Sequence, residues 1–136
     1  MDPSRARRHP WIWWGLVAVY VALIFALSSR PHLRAPVSFP LWDKLAHLGE
    51  YGILGFLGQR AAAASWPARG GRAYLRGALV IACGLVIALA DEMLQAQVPG
   101  RQASLADFVF DGLGLSLAFV ANLSLQRLGM RSRGVS

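Results

Sequence analysis

Six of the seven carboxylates in this chain, Asp43, Glu50, Asp91, Glu92, Asp107 and Asp111, stand at or inside the ends of long apolar stretches. Lys44, His47, Tyr51, Gln95 and Arg101 travel with them. Carboxylates beside an imidazole can move protons, an arginine fork can grip phosphate or carboxylate, and such groups against apolar walls make a ligand pocket. An ionisable side chain near the centre of a hydrocarbon slab costs roughly 2.5–3.5 kcal/mol on insertion scales. A chain that accepts this cost repeatedly at one depth is building a polar site there.

Asp43, His47 and Glu50 follow i, i+4, i+7 spacing with Tyr51 one position round, so a helix puts all four on one face, as the wall of a pocket. For Lys44 alone, snorkelling to the interface is the better reading. Further on, Asp91 and Gln95 are one turn apart and Glu92 points about 100° away. Glu92 with Gln95 is the pair expected to face inward, and Asp91 can equally lie at the interface. Arg101 is expected to pair with Glu92 or Asp107 or to bind an anionic ligand, the internal pair being the more common outcome. Ser104-x-x-Asp107 reads as a capping box, whereas Asp111, a turn deeper on the same face, has no capping role to fill. No nucleophile motif is present, and one histidine among scattered acids is a weak metal signature, so no metal or cofactor is expected.

The elements that must position these residues follow from composition. With 136 residues, 55% hydrophobic and 15% charged, the chain is one domain of a membrane class. A net charge of +7 does not imply nucleic acid, because the arginines flank apolar segments in short blocks. Trp11, Trp13 and Trp14 follow an arginine-rich head as an interfacial belt. The uncharged run from Trp11 to Leu27 is 17 residues, longer than the roughly 7–15 of a signal-peptide core, and is expected to be retained. Cys83 stands alone in an apolar run and is expected to pack as a small residue.

Counting acidic ends as helix gives four spans at about 11–28, 43–62, 74–95 and 105–125. Pro31, Pro36 and Pro40, then Ser65-Trp66-Pro67 with Gly70-Gly71, then Pro99-Gly100, mark the connections. The head (Arg5, Arg7, Arg8), second connection (Arg60, Arg69, Arg72, Arg76) and tail (Arg127, Arg131, Arg133) carry ten basic residues, against four (Arg30, Arg34, Lys44, Arg101) elsewhere. The fold class is therefore an all-α membrane protein, a bundle of four transmembrane helices with both termini cytoplasmic and the six carboxylates outside. Glycines 49, 52, 55 and 58 recur every third residue as a packing surface.

The series Asp43-Lys44-x-x-His47-x-x-Glu50-Tyr51-x-x-Leu54-Gly55, followed by Glu92-x-x-Gln95-x-x-x-Pro99-x-Arg101-x-x-Ser104-x-x-Asp107-x-x-x-Asp111-x-x-Gly114, resembles the VanZ-like family of small integral membrane proteins. The match covers about residues 43 to 118. The family pattern falls on Asp43, Lys44, His47, Tyr51, Glu92, Gln95, Arg101, Asp107 and Gly114; Asp111 stands where such proteins usually show asparagine, and Ala118 where a glycine is common. The resemblance implies a multi-pass protein of the bacterial cytoplasmic membrane, linked through the founding member to resistance to the glycopeptide teicoplanin. The leading expectation is a pocket binding an envelope precursor, a lipid-linked headgroup or a lipid-tailed antibiotic. The alternatives are an acid/base enzyme acting on a lipid-linked phosphate or glycan, with His47 and Glu50 or Glu92 as the pair, and a purely structural ionic network.

Overall fold

A computed structural model describes residues 9–31 and 41–131, the last four as backbone only. Arg5, Arg7, Arg8, Arg34, Pro36, Pro40 and Arg133, used in the topology argument, lie outside the described residues. The chain forms four helices, α1 (Pro10–Ser28), α2 (Trp42–Ser65), α3 (Gly71–Gln95) and α4 (Leu105–Arg131). Local chemistry sets their ends. Pro10 occupies the first turn of α1, where a missing N–H costs nothing. Pro67 pushes Trp66 out of helical geometry and stops α2, three residues beyond the expected boundary. Gly100 takes φ 83° in the turn between α3 and α4, a conformation that favours glycine, and the Arg101 N–H donates to the Val98 carbonyl at 3.1 Å.

Three helices, α1, α3 and α4, are long and apolar enough to cross a membrane. α2 carries too much polarity to stand with them, and its position explains how that is tolerated. It touches each of the other three, most extensively α4, whereas α1 and α4 do not meet among the described residues. α2 is thus the axis, and its deeper polar groups His47, Tyr51 and Gln59 face protein. The whole distribution is inverted relative to a water-soluble bundle. Among the described residues ten buried side chains are polar or charged against nine hydrophobic, while Leu75, Leu79, Val86, Leu113, Leu117 and Val120 point outward. An apolar exterior around a polar interior is what a lipid solvent selects.

Helices consecutive in the chain run antiparallel, so α2 and α4 lie parallel to each other, and the acidic segments collect at one end of the bundle with the aromatic and arginine residues at the other. At that second end, Trp14 Nε1 donates to Ser65 Oγ at 2.8 Å, Trp14 meets Trp66 edge-on, and the Arg60 guanidinium lies 5.4 Å from the Trp13 ring centroid. Arg76, expected in the connection, instead lies buried in α3 and donates to the Trp66 carbonyl at 2.7 Å.

Small residues allow the α2–α4 contact. A Cβ on Gly55 would stand 2.9 Å from Ala118 Cβ, and one on Gly58 would stand 2.9 Å from Val80 of α3. A three-residue step rotates about 300° round a helix, so successive glycines address different neighbours. Gly49, the first of the series, meets nothing within 4 Å and is no part of this surface. Cys83 is exposed rather than packed inside.

Candidate functional site

The polar end is assembled from the last turn of α1, the first turns of α2, the last turns of α3 and the first turns of α4. His47 is the centre. Its Nδ1 lies 2.9 Å from Asp111 Oδ1 and its Nε2 3.9 Å from Asp107 Oδ2, with all three side chains nearly inaccessible. Lys44 Nζ reaches Asp107 Oδ1 at 3.3 Å. The expectation that Lys44 snorkels outward is corrected: Asp107 draws it inward, and the pair forms the rim of the cluster.

The α3 acids rearrange the predicted pairing. Asp91 and Glu92 are both buried, and Gln95 Nε2 donates to Asp91 Oδ2 at 2.9 Å rather than pairing with Glu92. Gln95 and Asp91 are four residues apart and therefore stacked on one face, while Gln95 also reaches Ser28 Oγ of α1 at 3.3 Å. Glu92 Oε2 instead accepts the Ser104 N–H at 2.7 Å. The Asp107 N–H donates to Ser104 Oγ at 3.4 Å, so half of the predicted capping box forms. The acid that should reach back to Ser104 N–H is replaced by Glu92 from another helix, because Asp107 is engaged by Lys44.

Arg101 does not pair with a carboxylate. It donates to the Ser28 carbonyl at 3.1 Å and approaches that of Leu27 at 3.5 Å, serving the unsatisfied carbonyls at the end of α1. Asp43 is exposed at the start of α2, although its charge still acts on His47. Glu50 is half-buried, and its backbone carbonyl accepts the Tyr20 hydroxyl at 3.2 Å. Tyr51 is wholly enclosed. The charges of His47, Asp107 and Asp111 act on Glu92, and that of Asp91 acts on Asp111, Glu50 and Tyr51, so these groups share one electrostatic environment.

The predicted residues therefore converge, with Asp43 at the margin and Arg101 clamping α1. Sequence reasoning missed Ser28 and Tyr20, which tie α1 to the cluster, and the buried Gln59, Arg76 and Asn122 nearer the other end. Ser28 closes the first apolar run, a position that signals a polar helix end. Gln59 Nε2 donates to the Gly77 carbonyl at 3.1 Å, a helix-to-helix bond without a sequence signature.

Between the aromatic end and the cluster lies an apolar groove of about 740 Å³, whose lining includes Trp14, Val17, Leu54, Trp66, Cys83 and Leu115 but none of the clustered acids. Leu54, Ile87 and Leu115 are one helical turn from Tyr51, Asp91 and Asp111, so the groove runs from the aromatic end towards the acids. Comparison with protein-family models, curated proteins and solved structures finds no match to this chain.

Proposed function

We propose that this chain is a VanZ-like protein that crosses the cytoplasmic membrane four times with both termini inside, and that its polar end faces outward and binds an amphiphilic envelope component. The ligand is a lipid-linked headgroup or envelope precursor, or a lipid-tailed glycopeptide of the teicoplanin type, and binding links the protein to glycopeptide resistance. The spacing from Asp43 to Gly114 supports the family reading, and the excess of arginine in the head, second connection and tail supports the orientation. The 24 residues of α2 suffice for a fourth span, since a helix of that length reaches about 36 Å against about 30 Å of hydrocarbon.

The observation that carries the ligand reading is an apolar groove whose lining residues Leu54, Ile87 and Leu115 stand one helical turn from Tyr51, Asp91 and Asp111 of the buried polar cluster. An amphiphile needs a dry slot for its tail beside groups that recognise its head, and a slot of this volume falls within the range of ligand sites, roughly 300–1,000 Å³. Cys83 lines the slot and is exposed, so enlarging it obstructs the tail without disturbing the packed interior. Binding of a fluorescent lipid-linked disaccharide and of teicoplanin to the protein in nanodiscs tests the reading. Cys83→Trp and Arg101→Ala are each expected to weaken binding at least tenfold; affinity unchanged in Cys83→Trp contradicts the groove as the tail site. The acid/base alternative draws on His47 held at 2.9 Å by Asp111, an arrangement that orients an imidazole. Conversion of the labelled lipid during the same assay favours it.

A further inference from the structure

Three carboxylates in the cluster share a pattern that hydrogen bonding within the protein leaves incomplete. Asp91, Glu92 and Asp111 each use one oxygen: Asp91 Oδ2 accepts from Gln95 at 2.9 Å, Glu92 Oε2 accepts from Ser104 N–H at 2.7 Å, and Asp111 Oδ1 meets His47 Nδ1 at 2.9 Å. The other oxygen of each is buried without a partner, as is the Tyr51 hydroxyl. One donor atom each from His47, Glu92 and Asp111, on three different helices, lie within 4.8 Å of one another. The side chains are 5%, 5% and 0% exposed.

Unpartnered carboxylate oxygens at this depth leave the negative charge to be balanced by something else. Lys44 is committed to Asp107 and Arg101 to the α1 carbonyls, and His47 meets only one oxygen of Asp111. Glu92, fixed through one oxygen by the Ser104 N–H and left with the other unpartnered, is held as an outer hydrogen bond holds a metal ligand. Ligand atoms round a small divalent ion sit about 2.0–2.2 Å from it and hence about 3–4 Å apart, close to the spacing already set by the 4.8 Å within which these three donor atoms lie.

We propose that His47, Glu92 and Asp111 bind a divalent transition-metal ion, with Asp91 and Tyr51 beside it. One imidazole nitrogen with carboxylate oxygens suits Zn²⁺ or Mn²⁺ better than the soft ions that thiolates select or the all-oxygen cages of Ca²⁺. The site does not depend on the lipid-ligand reading, and probes that carry no headgroup separate the two.

The test uses the full chain purified in detergent, stripped with chelator and titrated with ZnCl₂ or MnCl₂ alone. One ion per chain and a rise in melting temperature are expected. Glu92→Gln keeps an oxygen for Ser104 N–H while removing the anionic ligand, and should weaken binding at least a hundredfold. Gln97→Ala, at the same end of the bundle but exposed, with its side chain turned to the Met93 carbonyl, should bind as the parent does. Mn²⁺ electron spin-echo spectra of the unmodified protein should contain nitrogen couplings from His47, a readout that needs no variant to fold. Absence of stoichiometric binding, equal affinity in Glu92→Gln, an equal loss in Gln97→Ala, or manganese coordinated only by water would each overturn the assignment.

Discussion

Gly114→Leu is expected to abolish accumulation of folded protein, whereas Gly49→Leu should leave it near the parent level. A Cβ on Gly114 would run into the Leu48 carbonyl oxygen and stand 2.7 Å from the Gly52 nitrogen, both backbone atoms of α2. Overpacking that side chains can absorb costs about 1–3 kcal/mol. Backbone atoms cannot rotate away, so here α2 and α4 must separate. Separation also pulls apart the His47–Asp111 contact, since Asp111 lies three residues before Gly114 on α4. Gly49 sits in the same helix as Gly52 with nothing within 4 Å of its missing Cβ, which makes it the matched control. Yield of monodisperse protein after detergent extraction reads the outcome, and comparable yields for the two variants would refute tight α2–α4 packing.

His47→Leu carries the second large effect. The substitution removes the only side-chain partner shown for Asp111 Oδ1 and a neighbour 3.9 Å from Asp107 while leaving both acids enclosed. Leaving a buried carboxylate oxygen without its hydrogen-bond partner costs about 3 kcal/mol or more. Lys44→Ala is expected to cost about 1 kcal/mol or less, since the lysine is 27% exposed and solvent screens its pair with Asp107. Unfolding by SDS titration in mixed micelles compares the two, and a smaller loss for His47→Leu than for Lys44→Ala would contradict the central place given to the imidazole.

The helices were legible because hydropathy and proline positions act locally. Four segments were expected near the ranges that form, and proline and glycine marked the right connections. α4 continues past its predicted end at residue 125, since a helix leaving an apolar layer needs no apolar residues to persist. Membership of the polar cluster was also legible, because acids set inside apolar runs must find polar company within the protein or face lipid at high cost. Pairing was not. Periodicity assigned Glu92 to Gln95, yet the choice went to Asp91 because the backbone N–H of Ser104, twelve residues away, claims Glu92. Arg101 was expected among the acids, but the carbonyls of α1 compete for it and lie far away in sequence. Such competition depends on which helices become neighbours, and a single helix face does not encode that.

Convergence of carboxylates from separate helices on His47 is the claim on which the rest stands, and a double-mutant cycle between His47→Leu and Asp111→Leu in SDS unfolding measures it most directly. The 2.9 Å contact predicts that the double variant loses less stability than the two single losses combined, by about 1–3 kcal/mol. Additivity within about 0.5 kcal/mol would mean that the two side chains do not meet and would contradict the account.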